Sequence, residues 1–181
     1  MNNFGNIKDQ LLLAGINIEL WGIKDSKNIN SLEEEISKGE CILKIIDGVL
    51  MRVVNIIRAD IFYNSSDGKT YNLREVKQVF NDGHERIRNL DSSVSEKIKL
   101  GEKPFDAVIR GIQEELNIMN IININYCKTE EKIEDSISYP GLKSIYIKHW
   151  FTAILTDEQF NSAGYIEKQD DKSTFFSWNE I

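Results

Sequence analysis

The chain has 181 residues, 41% hydrophobic and 28% charged, a composition that builds one globular core without disulfide staples and excludes a small disulfide scaffold. Its 29 acids outnumber 22 bases for a formal net charge of −7, which excludes a general binder of nucleic acid polymers or anionic membranes, because that role needs a basic face. A small anionic ligand held through a divalent cation remains compatible with this charge. Cys41 and Cys127 stand far apart with no CxxC or Cys/His spacing, and read as reduced structural thiols. The apolar run at residues 11–16 is too short to cross a bilayer, which takes about 20 residues, and lacks a basic flank. A cytoplasmic location is expected.

In chain order, residues 7–16 suit either a short helix or a strand. Ser31 followed by Glu34 is a capping-box pattern, so residues 31–38 predict a helix ending at Gly39. Residues 41–46, the Asp47-Gly48 turn and residues 49–57 predict a hairpin, with residues 58–63 continuing the second strand. A turn cluster at residues 64–68 leads to a strand over 70–80. A second turn at Asn81-Asp82-Gly83 leads to a polar strand over 84–90. Residues 91–103 read as a loop, 104–116 as a helix, 118–126 as a strand and 128–139 as an acidic loop. After the Pro140-Gly141 turn, residues 142–155 and 174–178 complete the strands. One strong helix among many strands predicts an α/β fold with a mixed sheet. The expected organisation is an N-terminal extension over residues 1–45 packed on a domain over 46–181.

The helix carries the functional argument. Phe105, Val108, Ile109, Ile112 and Leu116 recur at helical spacing and form one apolar stripe. Pro104 suits the first turn, and Asn117 suits the left-handed position that ends a helix. On this wheel Arg110, Gly111 and Glu114 point away from the stripe, and Glu115 lies at its edge.

The stretch from Glu96 to Ile118 resembles the Nudix box, G-x5-E-x7-R-E-U-x-E-E-x-G-U, where U is bulky and apolar. Glu102, Arg110, Ile112, Glu114, Glu115 and Ile118 match it. Glu96 stands at its first glycine, Gly111 at the glutamate after arginine, and Asn117 at its second glycine. The Gly101-Glu102-Lys103-Pro104 lead into the helix and the terminal Phe176-Ser177-Trp178 stretch are similar to the family as well. The likeness extends loosely over residues 50–181 and implies a Nudix-like α/β/α sandwich.

The resemblance implies hydrolysis of a diphosphate linkage in a small molecule of the nucleoside diphosphate-X class, by water activated on Mg²⁺ or Mn²⁺. Mg²⁺ suits that work because it takes carboxylate and phosphate oxygens and keeps several waters. Glu114 and Glu115 would be the catalytic metal ligands, and Glu102 with Arg110 the ion pair that holds loop to helix. Gly111 removes one of three carboxylates and costs about 1 kcal/mol against alanine inside a helix. Either a close approach of backbone or ligand requires it, or it drifted after activity was lost. A missing acid would come from Glu96, from Glu130, Glu131 or Glu134, or from Glu167, Asp170 or Asp171. Arg74, Arg86 and Arg88 are phosphate-contact candidates, or else exposed strand charges that discourage edge pairing. His84 and His149 lack partners at zinc spacing, and Trp21, Trp150 and Trp178 read as core. A catalytically inactive Nudix-like module binding a nucleotide or a protein is the alternative function. A homodimer through residues 1–45 is compatible with either.

Overall fold

The computed structural model describes residues 6–23, 26–88 and 90–181. Residues 1–5 of the expected extension lie outside this set. The first segment resolves as helix α1, Ile7–Leu13, because the Asn6 side chain accepts the otherwise orphaned Asp9 N–H. Helix α2, Ile29–Ser37, starts before the capping box. Asn28 accepts the Ser31 N–H at 2.9 Å, so Ser31 sits inside the first turn instead of capping it.

Strands β1, Ile42–Ile46, and β2, Val49–Asn64, form the expected hairpin. Asp47 and Gly48 both have positive φ, 51° and 79°, as a two-residue turn matching strand twist requires. Strand β3, Thr70–Phe80, pairs antiparallel with β2. Of the polar strand expected over residues 84–90, only β4, Glu85–Ile87, forms, and Asn89 lies outside the described residues. Part of the expected loop is strand β5, Val94–Lys97, paired with β2. Helix α3, Pro104–Leu116, has the anticipated ends, with proline in its first turn and Asn117 left-handed at φ 54°.

Downstream, the expected strand at 118–126 and acidic loop at 128–139 are replaced by strand β6, Ile124–Asp135. Almost every β6 residue is exposed, so no period-two apolar pattern marked it. Strand β7, Lys143–Leu155, follows, then β8, Tyr165–Lys168, and β9, Lys172–Glu180. Among the described residues the sheet has nine strands, in the order β6-β7-β2-β3-β9-β8, with β1 and β5 on β2 and β4 on β3. This is an α/β fold with few helices.

Two compact units are distinguishable. One comprises the N-terminal stretch ending at Asn55, with Lys97–Glu102 and Glu130–Lys148. Its interior centres on Leu11, Leu32, Tyr139 and Leu142, all fully buried. The Trp21 indole packs on the Tyr139 ring, and its N–H donates to the Pro140 carbonyl at 2.9 Å. Cys41 is buried here.

The second unit comprises Ile56–Glu96, Lys103–Thr129 and His149–Ile181. Ile57, Ile61, Leu73, Val94, Val108 and Ile112 are buried in it. Here the helical wheel needs correcting. Gly111 is buried with Ala107, Val108, Ile112 and Leu116, whereas Phe105 is 48% exposed. The covered face of α3 is rotated toward Gly111 because β5 packs against that flank. Cys127, expected to be a structural thiol, is exposed on β6.

Candidate active-site cleft

Within the second unit the last turn of α3 delivers Glu115, half-buried, into a cleft of about 240 Å³. Its carboxylate accepts the Ser95 N–H of β5. Glu96 follows from the same strand, Glu167 from β8, and Glu75 from β3. Three cationic side chains also line the cleft: Arg58 of β2, Arg88 just after β4, and Lys172 at the start of β9.

Glu75 and Gln78 both line it although they are three residues apart, which regular alternation forbids. A β-bulge supplies the extra residue, because the register of β3 against β9 shifts between Glu75 and Lys77. Glu75 then opposes Phe176, and Gln78 opposes Thr174, two positions along β9 and on the same face. Thr174 in turn opposes Glu167 on β8. The carbonyl of Val76, the bulged residue, accepts the Arg88 N–H at 3.0 Å. The Arg88 side chain donates to Glu75 at 3.1 Å. Arg58 donates to Asp91 at 2.6 Å and to Ser92 at 3.2 Å. Thr174 is 3% exposed, and its hydroxyl has no hydrogen-bond partner within normal geometry.

The electrostatics follow from this crowding. Burial pushes the Glu115 carboxyl well above the usual carboxylate range, and the charges of Glu167, Glu96 and Glu75 push it further. Burial likewise raises Glu167, opposed by the Gln169 amide, the Lys172 charge and the nearby Thr174 hydroxyl. As the side chains stand, no group of three or more acids, histidines or cysteines among the described residues encloses a metal-sized point. The donor set is nonetheless of the right chemistry for a hard divalent cation: carboxylate oxygens, with a buried hydroxyl left over.

Gly111 has a packing reason. An added Cβ would lie 3.2 Å from the Glu96 Cβ and 3.3 Å from a Val94 methyl. The helix therefore approaches β5 as closely as it does because position 111 carries no side chain.

The candidate residues divide by location. Glu115, Glu96, Glu167 and Arg88 come together in the cleft. Glu114 does not line it: its side chain is half-exposed and accepts from Arg110 at 2.9 Å. Arg110 also lies 3.9 Å from Glu96, and Glu102 accepts the Lys99 N–H at 2.8 Å. Glu130, Glu131 and Glu134 belong to the other unit, on β6. Asp170 and Asp171 are exposed, their backbone carbonyls holding Asn81. Arg74 pairs with Asp60, and Arg86 lies over the Phe80 ring. Glu75, Gln78, Arg58, Lys172 and Thr174 were not anticipated, and their alternation in ordinary strand sequence gave no sign of a shared cleft. No helix among the described residues is long and apolar enough to cross a membrane.

No protein-family model matches the chain, and no curated protein does. Solved structures resemble it in part. A MutT/nudix family protein from Enterococcus faecalis is 15% identical, aligned over 70% of this chain and 43% of its own, with a TM-score of 0.48. This chain thus spans less than half of that protein's length. An Ap4A hydrolase of C. elegans is 17% identical over 71% of this chain and 80% of its own, with a TM-score of 0.38. The NUDIX domain of Shewanella oneidensis NrtR, solved with ADP ribose, is 12% identical over 68% and 70%, with a TM-score of 0.41. Likeness at this level identifies neither a substrate nor a site.

Proposed function

We propose that the chain is a Nudix-type hydrolase that cleaves a diphosphate linkage in a small molecule, with Mg²⁺ or Mn²⁺ as cofactor. The observation that carries this reading is Glu115, placed by a box-like helix in a cleft shared with three more carboxylates and three cationic side chains. A bound divalent ion would shield the diphosphate and lower the pKa of an attacking water. Glu115 would hold it together with carboxylates of the same cleft, the cation offsetting the burial and then the neighbouring charges that now raise the Glu115 pKa. Arg58, Arg88 and Lys172 would take the phosphate oxygens and orient the linkage. Arg110 acts on geometry, fixing Glu114 against the helix.

The test is release of phosphate or mononucleotide from a panel of diphosphate compounds with Mg²⁺ or Mn²⁺. Glu115→Gln is expected to lower turnover by about 100-fold or more. Absence of turnover by folded protein with either metal defeats the reading. Two observations favour the alternative of a catalytically inactive module that binds a nucleotide: Glu114 faces solvent, and among the described residues no three acids stand close enough together to hold one metal ion. Saturable nucleotide binding without hydrolysis would establish that alternative.

A further inference from the structure

The two glycine-for-glutamate departures from the Nudix box are reciprocal. The pattern has glycine where this chain has Glu96, and glutamate where this chain has Gly111. In the folded chain these two positions touch. A Cβ built at Gly111 would meet the Glu96 Cβ at 3.2 Å, closer than two such atoms ordinarily pack. A side chain at 111 and one at 96 therefore compete for one space between α3 and β5. Of these two neighbouring positions, the strand one carries the carboxylate and the helix one carries none.

We infer that Glu96, projecting from β5, performs the cation-binding duty of the helix acid absent at position 111, so that a strand and a helix share the ion. This rests on the proposed hydrolase reading and specifies its site. Glu96 and Glu115 line the same cleft, and Glu115 is tied to β5 through the Ser95 N–H. The strand thus positions both acids. A separate feature points to a ligand in this cleft. The Thr174 hydroxyl is buried in the cleft wall, opposite Glu167, close enough to lower the Glu167 pKa but with no hydrogen-bond partner within normal geometry. A buried hydroxyl left unmated is costly unless a ligand or an ordered water completes it. Arg110, 3.9 Å from Glu96, offsets its charge from the helix side without filling the cleft.

The experiment is titration of the full chain with Mn²⁺, read by calorimetry and by loss of the free Mn²⁺ paramagnetic resonance signal. Four proteins are compared: the unaltered chain, Glu96→Gln, Glu131→Gln as a control on β6, and the exchange pair Glu96→Gly with Gly111→Glu. Thermal melts confirm that each is folded. Glu96→Gln is expected to weaken Mn²⁺ binding about tenfold or more, the size expected for losing a ligand. Glu131→Gln should bind as the unaltered chain does. The exchange pair should recover most of the affinity, because it returns the acid to the helix and vacates the space on the strand. Unchanged binding by Glu96→Gln overturns the inference even if the exchange pair fails to fold. A folded exchange pair that binds no better than Glu96→Gln overturns it too. If the unaltered chain binds no Mn²⁺, both this inference and the metal-dependent hydrolase fall. Binding that depends on Glu96 without diphosphate turnover upholds the inference and defeats only the hydrolase.

Discussion

Acidification should destabilise the first unit through one residue, Glu35. This α2 carboxylate is 6% exposed. It accepts from Arg52 at 2.5 Å and from Lys27 at 2.7 Å, with the Lys97 ammonium at 3.2 Å. Burial alone would raise its pKa, but the Lys27 hydrogen bond and the Arg52 and Lys97 charges outweigh it and bring the group down to about 2 from 4.5. A folded pKa below the unfolded one means stability that is complete above pH 4.5 and lost as the pH falls from there toward 2. At about 1.4 kcal/mol per unit the shift corresponds to about 3 kcal/mol, and screening of the half-exposed Lys27 trims this toward about 2. Glu35→Gln abolishes that pH term, and at neutral pH it leaves the Arg52 guanidinium buried without its counter-charge, a loss of about 3–5 kcal/mol. Urea midpoints of both proteins between pH 7 and 3 measure the two effects. The difference in stability between unaltered chain and variant should be greatest near neutrality and shrink on acidification. A constant difference across that range, or no loss at pH 7, refutes the reasoning.

The second unit yields three more expectations. Burial and three neighbouring acids raise the Glu115 pKa, so its ionisation costs stability that is intact below pH 4.5 and eroded as the pH rises through the folded value. In buffer with chelator, Glu115→Gln should therefore melt above the unaltered chain at pH 8, with the gap closing near pH 4. A gap that widens toward acid contradicts the assignment. Gly111→Ala gains about 1 kcal/mol of helix propensity but presses on the Glu96 Cβ and the Val94 methyl at 3.2 and 3.3 Å. Overpacking of about 1–3 kcal/mol should prevail and lower the thermal midpoint; a raised midpoint means the strand yields freely. Gly164→Ala should destabilise more, because its Cβ would sit 2.0 Å from the Phe176 carbonyl oxygen at a φ of 80°. A melt within a degree of the unaltered chain would contradict this.

Helix α3 was legible because its cues are local: an apolar period, Pro104 where a missing N–H costs nothing, and Asn117 able to turn left-handed. The first hairpin was legible for the same reason, through Asp47-Gly48. Strand β6 was hidden because its side chains are exposed on both faces, and β5 and β8 because four residues are too few to show a period. The wheel put Gly111 on the wrong flank because a single stripe assumes one packing partner, whereas β5 covers a second side of this helix. The Nudix likeness named Glu115 together with Glu114, which does not line the cleft; Glu96 and Glu167 stood among several candidate acids, and Arg88 followed from strand alternation. Glu75 could not, since its place in the cleft depends on a register shift, and register is a property of paired strands.

The bulge at Val76 separates two things that a charge substitution would confound. Removing that single residue would give β3 an unbroken ladder against β9, with Glu75 still opposite Phe176 and Gln78 still opposite Thr174. It would also take away the carbonyl that anchors the Arg88 backbone. Shortening the polypeptide by one amino acid thus loosens a guanidinium from its carboxylate while every ionisable group stays in the chain, making backbone length a control on local charge balance.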